Sequence, residues 1–170
     1  MTIAIKPIKM KHAKAFHQAL DEVARERRYL LLLEAPPLEH IKQLVRYNME
    51  RNTVHFVAID GGKMVGWCDI RPYTLPGMTH AGELGMAVVA AYRGRGLGYR
   101  LLEATINKAL ENGLSRIELE VFASNQVAKA LYEKLGFEQE GIKRRARYLD
   151  GIWDDLIMMA LLKPTNQPTS

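Results

Sequence analysis

Short stretches of the chain alternate apolar and polar residues, the pattern typical of β-strands. The clearest alternation lies in residues 116–122, where Ile117, Leu119 and Val121 share one parity while Glu118 and Glu120 occupy the other. Comparable apolar runs predict six further strands: 3–8, 54–59, 64–70, 84–89, 137–148 and 152–162.

Apolar residues recur at helical spacing in four other stretches, which predict helices over 12–31, 37–52, 97–112 and 126–135. Ser124 or Asn125 provides the N-cap of the fourth helix, and Gly136 ends it. The turn sequences Asp60-Gly61-Gly62 and Asp150-Gly151 predict that the strands on either side of them form hairpins.

The predicted elements follow the order β-α-α-β-β-β-α-β-α-β-β. The strand–helix–strand unit over residues 84–122 requires a parallel pairing, whereas the hairpins are antiparallel. We therefore predict an α/β fold with a mixed sheet of about seven strands. The length of 170 residues fits one domain. We expect that domain over 1–163, with a polar tail at 164–170.

Composition narrows the class of protein. Hydrophobic residues make up 48% of the chain and charged residues 25%, a balance typical of globular domains. Cys68 is the single cysteine, which excludes an intramolecular disulfide, and we expect it to be buried rather than nucleophilic. The five histidines are scattered without the i,i+4 spacing of two ligands on one helix, so no resident metal is expected.

The net charge of +5 indicates an anionic partner only weakly. Basic clusters at 93–100 and 143–147 raise the alternative of a nucleic-acid-binding protein. Single-strand binders interleave such clusters with aromatic residues, which is not the pattern here, so no nucleic-acid partner is expected. The apolar runs are far shorter than the ~18 residues of a membrane span. The first residues lack the apolar core of a signal peptide, so we expect a soluble cytoplasmic protein without a membrane partner.

A turn with three glycines, Arg93-Gly94-Arg95-Gly96-Leu97-Gly98, lies between a predicted strand and a predicted helix. Without Cβ atoms its amides can approach a ligand closely, and the helix N-terminus and the arginines add positive charge. A pyrophosphate site has these requirements. The turn lacks the Lys-Ser/Thr ending of a P-loop, and its alternating glycines do not fit the dinucleotide fingerprint. Without a further motif, the turn is equally consistent with an ordinary loop.

Arg93-x-x-Gly96-x-Gly98 after an apolar strand resembles the acyl-CoA signature Arg/Gln-x-x-Gly-x-Gly/Ala of the GNAT N-acetyltransferase superfamily. Residues 125–137 match the superfamily's second motif, N-x-x-A-x-x-L-Y-x-x-x-G-F, and follow the first motif by about 30 residues, as in that superfamily. The order of elements agrees over residues 3–163. The resemblance implies a GNAT-like, mostly antiparallel sheet with one parallel β-α-β unit, flanked by about four helices.

The resemblance also implies acetyl-CoA as co-substrate, without a metal. In the superfamily the strand before the turn is bulged and pairs through its backbone with the pantetheine arm, which assigns Met86, Ala87 and Val88 to that role. Asn125 would hydrogen-bond the same arm; its alternative role is the helix N-cap. The pyrophosphate would lie on the backbone amides of seven residues: Arg93, Gly94, Arg95, Gly96, Leu97, Gly98 and Tyr99.

The implied reaction is direct transfer to an amine, which needs a base and an acid. An alkyl ammonium has a pKa near ~10.4, so its proton must be removed at neutral pH. Glu120 matches the position where ribosomal-protein alanine acetyltransferases place their base, and Glu83 matches the position used by other branches, so both remain candidates. Deprotonation by water or by the substrate alone is the third alternative. Tyr132 matches the tyrosine that protonates the departing thiolate, and it shares a helix face with Asn125.

The sequence specifies the acceptor amine less closely than the coenzyme. Segments that build the acceptor site in the superfamily carry both arginines and acids in this chain: Arg27, Arg28, Tyr29, Glu34, Trp67, Asp69, Arg71, Tyr73, Tyr148, Asp154 and Asp155. Arginines favour an acceptor carboxylate, and acids favour a polyamine or a cationic peptide. The resemblance favours a small-molecule amine such as an amino acid or an analogue. A ribosomal-type protein N-terminus, a polyamine and a non-catalytic acyl-CoA sensor remain alternatives. A homodimer is common in the superfamily, but no pattern in this sequence signals one.

Overall fold

The computed structural model describes residues 2–164, so the predicted tail from residue 165 onward lies outside the described residues. Within them the elements follow the predicted order. The strands are β1 Ala4–Pro7, β2 Val54–Asp60, β3 Lys63–Pro72, β4 Ala81–Val88, β5 Arg116–Phe122, β6 Glu138–Leu149 and β7 Ile152–Leu162. The helices are α1 Ala13–Ala24, α2 Leu38–Glu50, α3 Leu97–Glu111 and α4 Gln126–Lys134.

The strands form one sheet in the order β1-β2-β3-β4-β5-β7-β6. Both predicted hairpins are present, because β2 pairs with β3 and β6 pairs with β7 in antiparallel fashion. β4 and β5 form the predicted parallel pair. The expected mixed, mostly antiparallel α/β sheet is therefore confirmed.

The chain divides into two compact units. One comprises the residues up to Arg71 together with Leu84–Lys108, and the other comprises Pro72–Glu83 with the residues from Ala109 onward. In the first unit, helices α1 and α2 bury apolar side chains in a core that they share with β2, β3 and the end of β4. Its members include Phe16, Leu20, Val23, Ile41, Val45, Val57, Met64, Trp67 and Val89.

Helix α1 is shorter than predicted. The expected helix over 12–31 ends at Ala24, because Arg27 has a positive φ of 58° that a right-handed helix cannot contain. The carboxylate of Asp21 accepts a hydrogen bond from the backbone N–H of Ala35 at 2.9 Å, which brings the following segment back towards the helix. The apolar residues after Ala24 therefore belong to a connecting segment, and the prediction of one long helix was wrong.

The second unit is organised by β5 and β7. Ile117, Leu119 and Val121 are buried on one face, as their alternation predicted, and their register partners on β7 include Met159 and Ile157, which are buried as well. Because successive side chains of a strand point to opposite faces, the other parity of β5 presents Arg116, Glu118 and Glu120 on the opposite face. The polar side chains of β5 therefore lie on the face opposite its buried residues, where they can take part in chemistry.

His55 and Asn48 form a buried polar pair in the first unit. The side-chain nitrogen of Asn48 lies 3.2 Å from Nδ1 of His55, whose ring contacts the Phe16 ring edge-on at 5.1 Å between centroids. Within residues 2–164, His55 Nε2 and Asn48 Oδ1 are buried without a hydrogen-bond partner. Burial, together with the charge of Arg71, lowers the pKa of His55 to about 4. The ring is therefore held neutral.

This pair predicts an acid-sensitive stability. Because the unfolded chain binds a proton at His55 near pH 6.5 and the folded chain only near pH 4, protonation favours the unfolded state in this window. Above pH 6.5 the neutral His55 ring should contribute fully to the free energy of unfolding. As the pH falls to about 4, the free energy of unfolding should decrease by on the order of 3 kcal/mol. Urea unfolding at a series of pH values measures this loss in the wild type and in His55→Gln.

His40→Gln, which alters an exposed histidine on α2, is the matched control and should keep the wild-type dependence. A His55→Gln protein with the same loss of stability between pH 6.5 and 4 as the wild type would assign the effect to other groups.

Candidate active site

The glycine-rich turn follows β4 after a single 3-10 turn, and α3 begins at Leu97. Gly94 and Gly96 have φ values of 72° and 74°, the left-handed region that residues with a Cβ enter only with strain. A Cβ built on either glycine would have no other protein atom within 4 Å. The two glycines are therefore required by the path of the backbone, and the space above them is open.

The amides of this turn are available for a ligand. Among the described residues, the backbone N–H groups of residues 94–98 have no protein acceptor, and the first hydrogen bond that closes onto α3 runs from Arg100 N–H to the Gly96 carbonyl at 3.2 Å. Helix α3 is 15 residues long and directs the positive end of its dipole at the same place. Open space and unsatisfied donors together fit a pyrophosphate.

The two arginines of the turn differ, and one expectation needs correction. Arg95 is exposed, with its guanidinium 5.6 Å from the centroid of the Tyr92 ring, and adds positive charge at the turn. The Arg93 side chain instead donates to both carboxylate oxygens of Glu26, at 2.8 and 2.6 Å. Its charge is therefore paired within the protein. Its backbone N–H donates to the Ala90 carbonyl at 3.2 Å, so the amides without an acceptor begin at Gly94.

Met86, Ala87 and Val88, predicted to pair with the pantetheine arm, are the last three residues of β4. The parallel register with β5 uses Ala81–Glu83, three of the eight residues of this strand. The side chains of Ala87 and Val88 are buried, so any contact they make with a ligand must use the backbone.

In the second unit, both candidate bases lie on the polar face of the sheet. Glu83 is the register partner of Glu118 across the parallel pair, and Glu118 and Glu120 are two residues apart on β5, so all three side chains share one face. Glu120 forms an ion pair with Lys143, in which the lysine side chain is 51% exposed and the glutamate 29%. Glu120 is thus a surface carboxylate paired with a half-exposed lysine.

Glu118 belongs to a network that the sequence analysis did not single out. It accepts hydrogen bonds from the hydroxyl of Tyr73 and from Nε of Arg116, at 2.9 Å for the latter. Arg116 also forms a bidentate pair with Glu140 at 2.8 and 2.5 Å. Burial and the adjacent carboxylate raise the pKa of Tyr73 to about 12. In the sequence, the alternation that places Glu118 on the same strand face as Glu120 was the one pattern that could have pointed to this network.

Helix α4 carries the two predicted side chains of the second motif. The Oδ1 atom of Asn125 accepts from Ala128 N–H at 3.2 Å, so Asn125 is the N-cap, and its amide nitrogen has no partner among the described residues. Tyr132 is 7% exposed and its ring lies 5.8 Å from that of Phe137 between centroids. Packing therefore fixes the ring of Tyr132.

Several other residues named in the sequence analysis are buried or form hydrogen bonds within the protein. Trp67 is buried in the core of the first unit, which removes it from the candidate acceptor residues. Asp154 accepts from Ser124 and from Arg147, at 3.1 Å for the arginine, so it stabilises the hairpin of β6 and β7. Cys68 is fully buried, as predicted, and burial raises the pKa of its thiol.

The predicted residues are distributed over both units. The first unit contains the glycine-rich turn and the end of β4, and the second contains Glu83, Glu120, Asn125 and Tyr132. Among residues 2–164, no cluster of three or more histidine, cysteine or acidic side chains has the arrangement of a metal site. None of the helices in the described part of the chain combines the length and apolarity that a membrane crossing needs.

Comparisons with known proteins agree on one family. The model of the acetyltransferase (GNAT) family matches residues 13–137. The ribosomal protein bS18-alanine N-acetyltransferase of Escherichia coli is 34% identical over 114 residues, which are 67% of this chain and 74% of that protein. The L-amino acid N-acetyltransferase AaaT of the same species is 30% identical over 161 residues, 92% of this chain and 98% of that protein.

A solved structure extends the similarity to the whole fold. The phosphinothricin acetyltransferase of Sinorhizobium meliloti, in complex with acetyl-CoA, superimposes with a TM-score of 0.89. The superposition covers 99% of this chain and 94% of that one at 18% sequence identity, which shows a shared fold.

Proposed function

Because the chain belongs to the acetyltransferase (GNAT) family, we propose that it transfers the acetyl group of acetyl-CoA directly to the primary amine of a small molecule, such as an amino acid or an analogue. The observation that carries this proposal is the run of backbone amides at 94–98 that have no acceptor among the described residues. In this proposal residues 1–163 act as one acetyltransferase domain.

The turn takes the pyrophosphate of acetyl-CoA. Its amides donate to the phosphate oxygens, the dipole of α3 favours their charge, and the exposed guanidinium of Arg95 supplies a cation. The backbone of Met86, Ala87 and Val88 pairs with the pantetheine arm, and the amide nitrogen of Asn125 donates to the same arm. The substrate brings the thioester, and the protein binds and orients it.

The transfer needs no covalent intermediate with the protein. The amine nitrogen attacks the thioester carbonyl, the new C–N bond forms, the C–S bond breaks, and the coenzyme leaves as a thiolate. The hydroxyl of Tyr132 donates a proton to that thiolate, and a carboxylate accepts the proton lost by the amine. Cys68 is the only thiol and is fully buried with a raised pKa, which argues against a thioester on the protein.

Glu120 is the favoured base and Glu83 the second candidate. The side chain of Glu120 is 29% exposed beside the half-exposed side chain of Lys143, which supports access of an acceptor amine to its carboxylate. Glu118 on the same face is less suited, because Tyr73 and Arg116 already use its oxygens.

Glu120→Gln should lower kcat/KM by about thirtyfold or more, because the amide cannot accept the amine proton. Glu83→Gln should have a smaller effect, of about fivefold or less. Steady-state kinetics with the best acceptor measure both. The control is Glu138→Gln, an exposed glutamate on β6 with no proposed role. A large loss in Glu83→Gln with little change in Glu120→Gln would assign the base to Glu83.

The L-amino acid relative supports a small acceptor, because it matches 161 residues of this chain, whereas the match to the ribosomal-protein relative spans 114. Release of the coenzyme thiol is measured across free L-amino acids, polyamines and peptides that begin with alanine. We expect a kcat/KM for one or more amino acids about tenfold above that for any peptide. A faster peptide would identify a protein acceptor, and tight acetyl-CoA binding without release would identify a sensor.

A further inference from the structure

Arg93 belongs to the glycine-rich turn, but its side chain contacts residues outside the turn. In addition to the bidentate pair with Glu26, its Nε donates to the carbonyl oxygen of Val88 at 2.8 Å. The guanidinium carbon lies 4.5 Å from the centroid of the Tyr29 ring, within the range of a cation–π contact. One planar cation therefore contacts the end of β4 and the segment that follows α1.

That segment, residues 25–37, is attached to the rest of the first unit at several points, including the partly buried side chains of Tyr29, Leu30 and Ala35 that pack against its core. Near its far end, the N–H of Ala35 donates to Asp21 on α1 at 2.9 Å. Near its start, the contacts of Arg93 with Glu26 and Tyr29 attach it to the turn. Residues 31–34 are exposed, and Leu31 is 70% accessible. Arg93 therefore supplies contacts that help to order the start of this segment.

We propose that Arg93 is a positioning residue that couples the binding of acetyl-CoA at the turn to the order of residues 25–37, and that its side chain is not a phosphate ligand. The proposal rests on the pyrophosphate position proposed above. An anion bound by the turn amides fixes the backbone of Arg93, and its guanidinium then holds Glu26 and Tyr29. Because coupling is reciprocal, loss of the ion pair must also weaken acetyl-CoA binding.

Calorimetric titration with acetyl-CoA separates positioning from phosphate binding. Arg93→Lys keeps the charge but loses the two-pronged contact and Nε, and Glu26→Gln loses the ion pair. For a positioning role we expect both variants to bind acetyl-CoA about three- to tenfold more weakly, and the double variant to be no weaker than either. Tighter binding by Glu26→Gln, with wild-type affinity in Arg93→Lys, would identify Arg93 as a phosphate ligand and overturn the proposal.

Limited trypsin cleavage tests the coupling without turnover. Saturating acetyl-CoA should slow cleavage after Arg27 and Arg28 by about fivefold in the wild type, and have no effect on these sites in Glu26→Gln. The control is Glu22→Gln, one turn earlier, which alters an exposed glutamate 3.6 Å from Lys63 and should keep the protection. Equal protection in Glu26→Gln would overturn the proposal. A wild type that shows this protection but transfers no acetyl group would refute the proposed function alone.

Discussion

Gly96→Val is expected to weaken acetyl-CoA binding by about a hundredfold or more. The φ of 74° at this position strains any residue with a branched Cβ, and the new methyl groups would occupy the open space above the turn, where no protein atom lies within 4 Å of a Cβ. The turn amides would lose their approach to the pyrophosphate. Calorimetric titration with acetyl-CoA gives the two dissociation constants.

Gly62→Val is the matched control. Gly62 has a φ of 87° in the β2–β3 hairpin turn, and a Cβ there also has no protein atom within 4 Å. Both variants should therefore lose a similar amount of stability, on the order of 1–2 kcal/mol in thermal unfolding. Only Gly96→Val should lose affinity. Wild-type affinity in folded Gly96→Val would show that the pyrophosphate does not lie on this turn.

Tyr132→Phe is expected to lower kcat by about tenfold or more, with the acetyl-CoA dissociation constant unchanged within about threefold. The substitution removes one hydroxyl and keeps the ring that packs against Phe137, so the fold and the binding of the coenzyme should be preserved. What is lost is the proton donor for the departing thiolate. Rapid-mixing measurements of thiol release report this step directly.

Tyr47→Phe is the control for Tyr132→Phe, because Tyr47 is 47% exposed on α2 and has no proposed role. An unchanged kcat in Tyr132→Phe would remove the hydroxyl from the mechanism. A large rise in the dissociation constant would instead assign Tyr132 to binding.

Local patterns of the sequence were sufficient for much of the fold. The alternation in residues 116–122 predicted the bounds of β5 and both of its faces, because a strand with one buried face needs that parity. The glycine-rich turn was predicted between a strand and a helix, and it lies between β4 and α3. In each case the determining interactions lie within a few residues of one another.

The remaining features depend on contacts between distant residues. Glu26 and Arg93 are 67 positions apart, and nothing in the local pattern of either residue indicates their ion pair. The end of α1 was missed because no glycine or proline interrupts residues 25–35, whereas the hydrogen bond from Ala35 to Asp21 turns the chain back. The pairing of Glu120 with Lys143 likewise requires β6 to lie beside β7.

The most direct test of the central claim follows both products of one reaction. The wild-type protein is incubated with acetyl-CoA and the best amino acid acceptor, and mass spectrometry quantifies the acetylated amine while a thiol reagent quantifies free coenzyme. The account predicts equal amounts of the two at every time point and no acetyl group on the protein. Thiol release without acetylated amine, or an acetylated protein that forms and decays during turnover, would contradict it.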